Sequence, residues 1–173
     1  MNSSNWVAPL AEALLQHGWM LTTAESCTGG MIASRCTDVS GSSNWFERGF
    51  VTYSNEAKHE LLGVDSQLIE QHGAVSKEVV EQMVLGALRH SRAQVAIATS
   101  GIAGPTGGST DKPVGTVWFA WATPSDTGPT LDAESAWVKT ECLHLAGDRA
   151  AVREAAVQHA LTTLLKFLSC SDK

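Results

Sequence analysis

Helical and extended periodicities alternate along this chain, and the alternation predicts a layered α/β/α domain with a mixed sheet. Three observations carry it. Apolar residues recur at helical spacing in separate stretches: Val7, Leu10, Leu14 and Leu15; Val79, Val80, Met83, Val84 and Leu88; Val152, Ala156, Ala160, Leu161, Leu164 and Leu165. Between them lie short apolar runs of strand length, including the uninterrupted Val95-Ala96-Ile97-Ala98. Two further segments, Val114–Thr123 and Ala136–Leu145, alternate as strands do across a Pro/Gly/Asp-rich stretch, the pattern of an antiparallel pair.

In chain order, Trp6–His17 reads as a helix ended by Gly18, and Met20–Glu25 as a strand. Gly29–Thr37 reads as a helix, followed by the loop Ser40-Gly41-Ser42-Ser43. Phe50–Tyr53 is a second strand, after which Ser54 or Asn55 caps a helix over Glu56–Leu62 that stops at Gly63. Asp65–His72 is another short helix, and Ser76-Lys77-Glu78-Val79 opens a stronger one. The strand Gln94–Thr99 runs into Gly101–Gly108, a loop too rich in glycine for regular structure. A last helix covers Asp148–Phe167.

The whole chain, residues 1–173, reads as one domain. A hydrophobic fraction of 43% and a charged fraction of 17% describe an ordinary globular protein. The net charge of −6 speaks against nucleic-acid binding but leaves room for a small phosphorylated ligand, which needs only a local positive site. Neither a secretory leader nor a membrane span is expected. Cys27, Cys36, Cys142 and Cys170 have no CxxC spacing, which suits reduced thiols in the cytoplasm. The six histidines are scattered, so no metal site is expected.

Three segments that each follow a strand can carry chemistry: Glu25-Ser26-Cys27-Thr28-Gly29-Gly30, Thr52-Tyr53-Ser54-Asn55-Glu56-Ala57-Lys58 and Ser100-Gly101-Ile102-Ala103-Gly104-Pro105. Ends of adjacent strands in an α/β sheet are where ligands bind. Ser26, on a turn from strand to helix, is either a nucleophile or a simple helix cap. A nucleophilic serine needs a base, and no histidine sits in a comparable position. Lys58, early in its helix, can serve if burial and the helix N-terminus disfavour its charged form. Tyr53 is the only tyrosine. Cys27 is a rival nucleophile or a small buried residue. Glu25 reads equally as a general base, a ribose acceptor or a structural anion. The Gly101–Gly108 loop is a phosphate cradle or a plain turn, and Arg149 a phosphate ligand or a surface residue.

Taken together and in order, Ala24-Glu25-Ser26-Cys27-Thr28-Gly29-Gly30, Phe50-Val51-Thr52-Tyr53-Ser54-Asn55-Glu56-Ala57-Lys58, His72-Gly73-Ala74-Val75-Ser76, Ser100-Gly101-Ile102-Ala103-Gly104-Pro105 and Lys112-Pro113-Val114-Gly115-Thr116-Val117 resemble the C-terminal domain of the CinA family. Within that family the chain is most similar to the stand-alone bacterial nicotinamide-nucleotide amidohydrolases. The resemblance implies hydrolysis of the carboxamide of nicotinamide mononucleotide in pyridine-nucleotide salvage, with no metal or other cofactor. It implies a dyad of Ser26 and Lys58 with Tyr53 close by. Glu25, Cys27, Thr28, Gly29, Gly30, Ser100, Gly101, Gly104 and Arg149 are then the expected substrate contacts, and a homo-oligomer the expected state. Two rival readings stay open: a non-catalytic nucleotide- or partner-binding module, and a cysteine hydrolase using Cys27.

Overall fold

A computed structural model of the chain describes residues 6–125 and 135–170. The helices are α1 (Val7–His17), α2 (Met31–Thr37), α3 (Asn55–Leu62), α4 (Ser66–His72), α5 (Lys77–Arg89) and α6 (Arg149–Cys170). The strands are β1 (Leu21–Glu25), β2 (Phe46–Val51), β3 (Val95–Gly101), β4 (Thr116–Thr123) and β5 (Trp137–His144). They form one sheet in the order β2-β1-β3-β4-β5. β1 runs parallel to both β2 and β3, whereas β4 is antiparallel to both β3 and β5, so the sheet is mixed as expected.

Helices cover both faces of this sheet, which explains why β3 opens with the unbroken apolar run Val95-Ala96-Ile97-Ala98 and why every residue of β1 is buried, its threonines and Glu25 included. Odd and even positions of β3 and β4 enter different cores. Val95, Ile97, Val117, Phe119 and Trp121 pack with α1 and α6, through residues such as Leu10, Leu14, Leu161 and Leu164. Ala96, Ala98, Ala120 and Ala122 pack with α5, through Val80, Met83, Val84 and Ala87. Large side chains fill one layer and alanines let α5 approach closely on the other.

The second strand departs from expectation. It runs Phe46–Val51, not Phe50–Tyr53, so Thr52 and Tyr53 lie beyond it. Pairing with β1, from Leu21 opposite Phe46 to Glu25 opposite Val51, fixes its limits. Being an edge strand, it holds the polar Glu47-Arg48-Gly49 and shows no continuous apolar pattern. α2 begins at Met31 because Gly29 and Gly30 have φ of 59° and 91°, outside helical space. The expected connection between β4 and β5 falls largely on residues 126–134, outside the described residues, as does the N-terminal segment 1–5.

Three helices have side-chain caps: Ser54, expected as one, and Asp65 and Ser76, expected as the opening residues of their helices. Ser54 accepts from Ala57 N–H at 3.0 Å, Asp65 from Gln67 N–H at 2.9 Å and Ser76 from Val79 N–H at 3.4 Å. Gly63, in the left-handed region, closes α3. α3 then rests on α5 at a point of close approach, where a Cβ on Gly86 would overlap the Leu62 carbonyl. The overlap is with backbone, which no rotamer change relieves. An alanine at Gly86 gains about 1 kcal/mol of helix propensity, and the overlap outweighs it. Gly86→Ala should therefore lower stability by about 2 kcal/mol, or roughly 4–8 °C in Tm for a chain of this size. Thermal unfolding checks this; an alanine variant as stable as the parent would show that α3 and α5 are free to separate.

Candidate active site

The parallel trio β2, β1 and β3 ends at one edge of the sheet, with Glu25 opposite Val51 on one side and Thr99 on the other. Ser26 follows at once, its N–H donating to Thr99 O at 3.0 Å, while Thr52 N–H donates to Glu25 O at 2.8 Å. Two of the three segments singled out in the sequence are thereby laid side by side, and the third begins at the end of β3.

Glu25 is fully buried. Its carboxylate accepts from the N–H groups of Gly30 (3.0 Å), Ile32 (3.0 Å) and Ala33 (2.9 Å). α2 has a glycine at its N-cap and no side-chain cap of its own, so Glu25 supplies the missing acceptor from the preceding strand. Of the three readings of Glu25 the geometry describes the structural anion. Neither a general base nor a ribose acceptor fits a carboxylate so committed.

Lys58 is 1% exposed. It is the fourth residue of α3, and its side chain turns back toward the helix start, as helical side chains do. Nζ lies 3.1 Å from Ser26 Oγ, 2.9 Å from Thr52 O, 3.2 Å from Tyr53 O and 3.5 Å from Ser54 O. No carboxylate is among these partners. Burial is the largest effect on Lys58 and holds its pKa below the ordinary lysine value, opposed by the negative charge of Glu56. An amine in this position, once deprotonated, could donate to two of these carbonyls and accept from the Ser26 hydroxyl.

The turn after Ser26 divides its N–H groups. Gly29 N–H donates to Ser26 O at 3.1 Å and Gly30 N–H to Glu25. Among the described residues, the N–H groups of Cys27 and Thr28 donate to no other residue's acceptor. Of the run Cys27 to Gly30, only the N–H groups of Cys27 and Thr28 are thus left for an outside acceptor. The Thr28 hydroxyl is paired with that of Thr99 at 2.9 Å. The Cys27 side chain belongs to the core, and burial pushes its thiol up to about 12. That corrects the cysteine-hydrolase reading: a thiol so placed does not ionise near neutrality.

Tyr53 and Arg149 form a second cluster, linked to the first because the Tyr53 carbonyl accepts from Lys58. Arg149 donates to Gly104 O at 2.9 Å and to the Tyr53 hydroxyl at 3.2 Å. It borders a pocket of about 570 Å³ with Ala103, Pro105, Val114, Gly147 and Asp148. Tyr53 is 61% exposed, and its own carbonyl is one of the Lys58 acceptors. Ser100 and Gly101 have local tasks. The Ser100 hydroxyl donates to Ala74 O at 2.8 Å, and a Cβ on Gly101 would overlap Val117 and the Thr116 carbonyl of β4. Arg153 was not foreseen. Its Nε donates to Cys27 O at 3.1 Å and its Nη2 to Thr28 O at 3.0 Å. The one clue in the sequence is its place a helical turn after Arg149. Thr52 was also missed: its hydroxyl is buried beside this site with no hydrogen-bond partner among the described residues.

A family model for the CinA C-terminal domain matches residues 4–168. The chain belongs to the CinA C-terminal domain family. Among CinA relatives it is 54% identical over 155 residues to the nicotinamide-nucleotide amidohydrolase PncC of Escherichia coli strain K12, covering 90% of this chain and 88% of that one. It is 51% identical over 158 residues to PncC of Pseudomonas putida, covering 91% and 92%. A solved structure, the competence damage-inducible protein A (ComA) of Klebsiella pneumoniae, superposes with a TM-score of 0.88 at 38% identity over 98% of both chains. No helix among the described residues of this CinA domain is long and apolar enough to cross a membrane.

The buried thiol allows a direct check. Cys27 in the folded protein should resist alkylation by iodoacetamide at pH 8, where exposed Cys142 reacts. Cys27→Ala should keep kcat within about threefold of the parent. Site-resolved mass spectrometry that found Cys27 alkylated first, with loss of turnover, would restore the thiol as nucleophile.

Proposed function

We propose that residues 1–173 form one amidohydrolase domain that converts the carboxamide of nicotinamide mononucleotide to the carboxylate, releasing nicotinate mononucleotide and ammonia. The observation that carries the reading is the buried Lys58 amine 3.1 Å from Ser26 Oγ. The substrate class is supported by relatives at 54% and 51% identity that bear the name nicotinamide-nucleotide amidohydrolase.

In this mechanism neutral Lys58 takes the proton of Ser26 as Oγ attacks the amide carbon. The negative oxygen of the tetrahedral intermediate meets the N–H groups of Cys27 and Thr28. Lys58 returns the proton to the departing nitrogen, ammonia leaves, and an acyl-enzyme remains on Ser26. Water, deprotonated by the same amine, then frees the carboxylate and regenerates the serine. Arg149, at the rim of the adjoining pocket, is the ligand proposed for the substrate phosphate, which would hold the amide against Ser26. The resemblance to the family also leads us to place the enzyme in the cytoplasm as a homo-oligomer.

Lys58 gives the decisive test, because arginine keeps the charge but cannot lose its proton. Lys58→Arg and Lys58→Met should both lose about 10³-fold or more in kcat, and Ser26→Ala at least as much. The pH dependence has a fixed sign. Since protonated Lys58 has no lone pair, kcat/KM should fall as pH drops through its lowered pKa and be fully present above it. Ammonia release from nicotinamide mononucleotide measures all of these. An active Lys58→Arg enzyme would remove Lys58 from the base role; a parent chain that binds the nucleotide and releases no ammonia would be the non-catalytic module instead.

Arg149 is tested by comparing the nucleotide with nicotinamide riboside, which lacks the phosphate. Arg149→Ala should cost the nucleotide roughly 10- to 100-fold more in kcat/KM than the riboside. Equal losses on both substrates would show that Arg149 holds the loops together and does not bind phosphate.

A further inference from the structure

Arg153 sits on α6, yet both of its described hydrogen bonds go to the turn that follows Ser26. A trans peptide unit is planar, with its C=O and N–H pointing in opposite directions. The Cys27 carbonyl and the Thr28 N–H belong to one such unit. With the carbonyl held by Arg153 Nε at 3.1 Å, the Thr28 N–H is directed away from α6. The next unit obeys the same rule: the Thr28 carbonyl is held by Nη2 at 3.0 Å, and the Gly29 N–H on its far side reaches Ser26 O at 3.1 Å. Gly29 leaves the space this requires, since a Cβ there would press on Nη2 at 3.3 Å. The neighbouring residue anchors the helix: Glu154 accepts from Arg35 of α2 at 2.9 and 3.1 Å.

From this geometry we propose that Arg153 is a positioning residue that fixes the orientation of the Thr28 N–H, and with it the oxyanion-binding turn, without touching substrate. The proposal rests on the amidohydrolase reading and deepens it. Two parallel bonds from one planar fork fix two successive peptide planes, which a single donor cannot do. The cation also polarises the Cys27–Thr28 peptide from its carbonyl end, making the Thr28 N–H a stronger donor. Without Arg153 the Cys27 carbonyl must find another donor, the Thr28 carbonyl keeps only the Met31 N–H at 3.1 Å, and the turn loses the constraint that aims the Thr28 N–H.

The test uses the full chain with Arg153→Ala and Arg153→Lys. A group that serves the developing oxyanion affects the transition state more than bound ligands. Arg153→Ala should lose about 10²-fold in kcat with nicotinamide mononucleotide, while KM and the affinity for product nicotinate mononucleotide stay within about threefold. Arg153→Lys, restoring one donor of the fork, should recover about tenfold of that loss. Millimolar guanidinium should raise the rate of Arg153→Ala and leave Ser26→Ala inactive. A second arm does not depend on the natural substrate: the rate at which diisopropyl fluorophosphate modifies Ser26, located by mass spectrometry, should fall at least tenfold in Arg153→Ala, because its phosphoryl oxygen needs the same donors. Modification of the parent without nucleotide turnover would sink the substrate assignment and still decide on Arg153. The proposal is overturned if Arg153→Ala keeps kcat and modification rate within about threefold, if it loses product affinity as steeply as kcat, or if the parent Ser26 is never modified.

Discussion

Glu25 ends β1 and caps α2 at the same time, and the geometry of Ser26 follows from that double duty. An ionised carboxylate with no exposure is costly to bury, by several kcal/mol even after relaxation. Three backbone N–H donors offset this, each charge-assisted bond contributing about 1.5–3 kcal/mol. The balance holds only while Gly30, Ile32 and Ala33 all point inward, so the chain between strand and helix has one acceptable path. That path needs positive φ at Gly29 and Gly30. It consumes the N–H groups at the helix start, the usual anion site of such a turn, and leaves only those of Cys27 and Thr28. A motif that looks like an anion-binding helix N-terminus therefore carries its own anion, and the vacant donors sit before the helix.

Lys58 shows how competing electrostatic effects are settled by burial. Its Nζ faces the carbonyls of Thr52, Tyr53 and Ser54, which stabilise an ammonium, and the charge of Glu56 acts in the same direction. Removal from water acts against the ammonium and is the largest effect. A carboxylate in contact would reverse this, since an opposite charge within about 4–6 Å favours the charged form. The absence of such a contact among the described residues is thus the feature that would let lysine act as the base in the proposed reaction. The helix dipole, an appealing cause when only the sequence is in view, is secondary: the groups closest to Nζ are carbonyl oxygens.

The layered fold was legible because its signals are local. Ser54 caps its helix as its side chain indicates, and the apolar run that opens β3 marks a strand covered on both faces. The edge strand β2 was misplaced because its limits come from pairing with β1, which leaves no pattern in Glu47-Arg48-Gly49. At the site, Ser26 and Lys58 were legible as residues, the pairing partly through family resemblance. Their surroundings were not. Carbonyls of Thr52 and Tyr53 are invisible in any sequence, and which of Glu25's three readings holds depends on N–H groups that every residue possesses. Arg153 resembles any helix arginine until β1 and α6 are placed in space.

Tyr53 ties the two halves of the site together. Its carbonyl accepts from Lys58 and its hydroxyl from Arg149, so one residue touches the amine beside Ser26 and the guanidinium beside the pocket. A guanidinium has five N–H donors, and Arg149 spends one on Gly104 and one on Tyr53. Three remain for a ligand, so in the proposed reaction phosphate capture need not break the bridge. Keeping it intact matters for catalysis. A phosphate that pulled Arg149 away would free Tyr53 to move, and a shift of its carbonyl would disturb the donors of Lys58. A phosphate that binds on the open side of the guanidinium leaves the Lys58 cage in place and converts remote binding energy into alignment of the amide with Ser26.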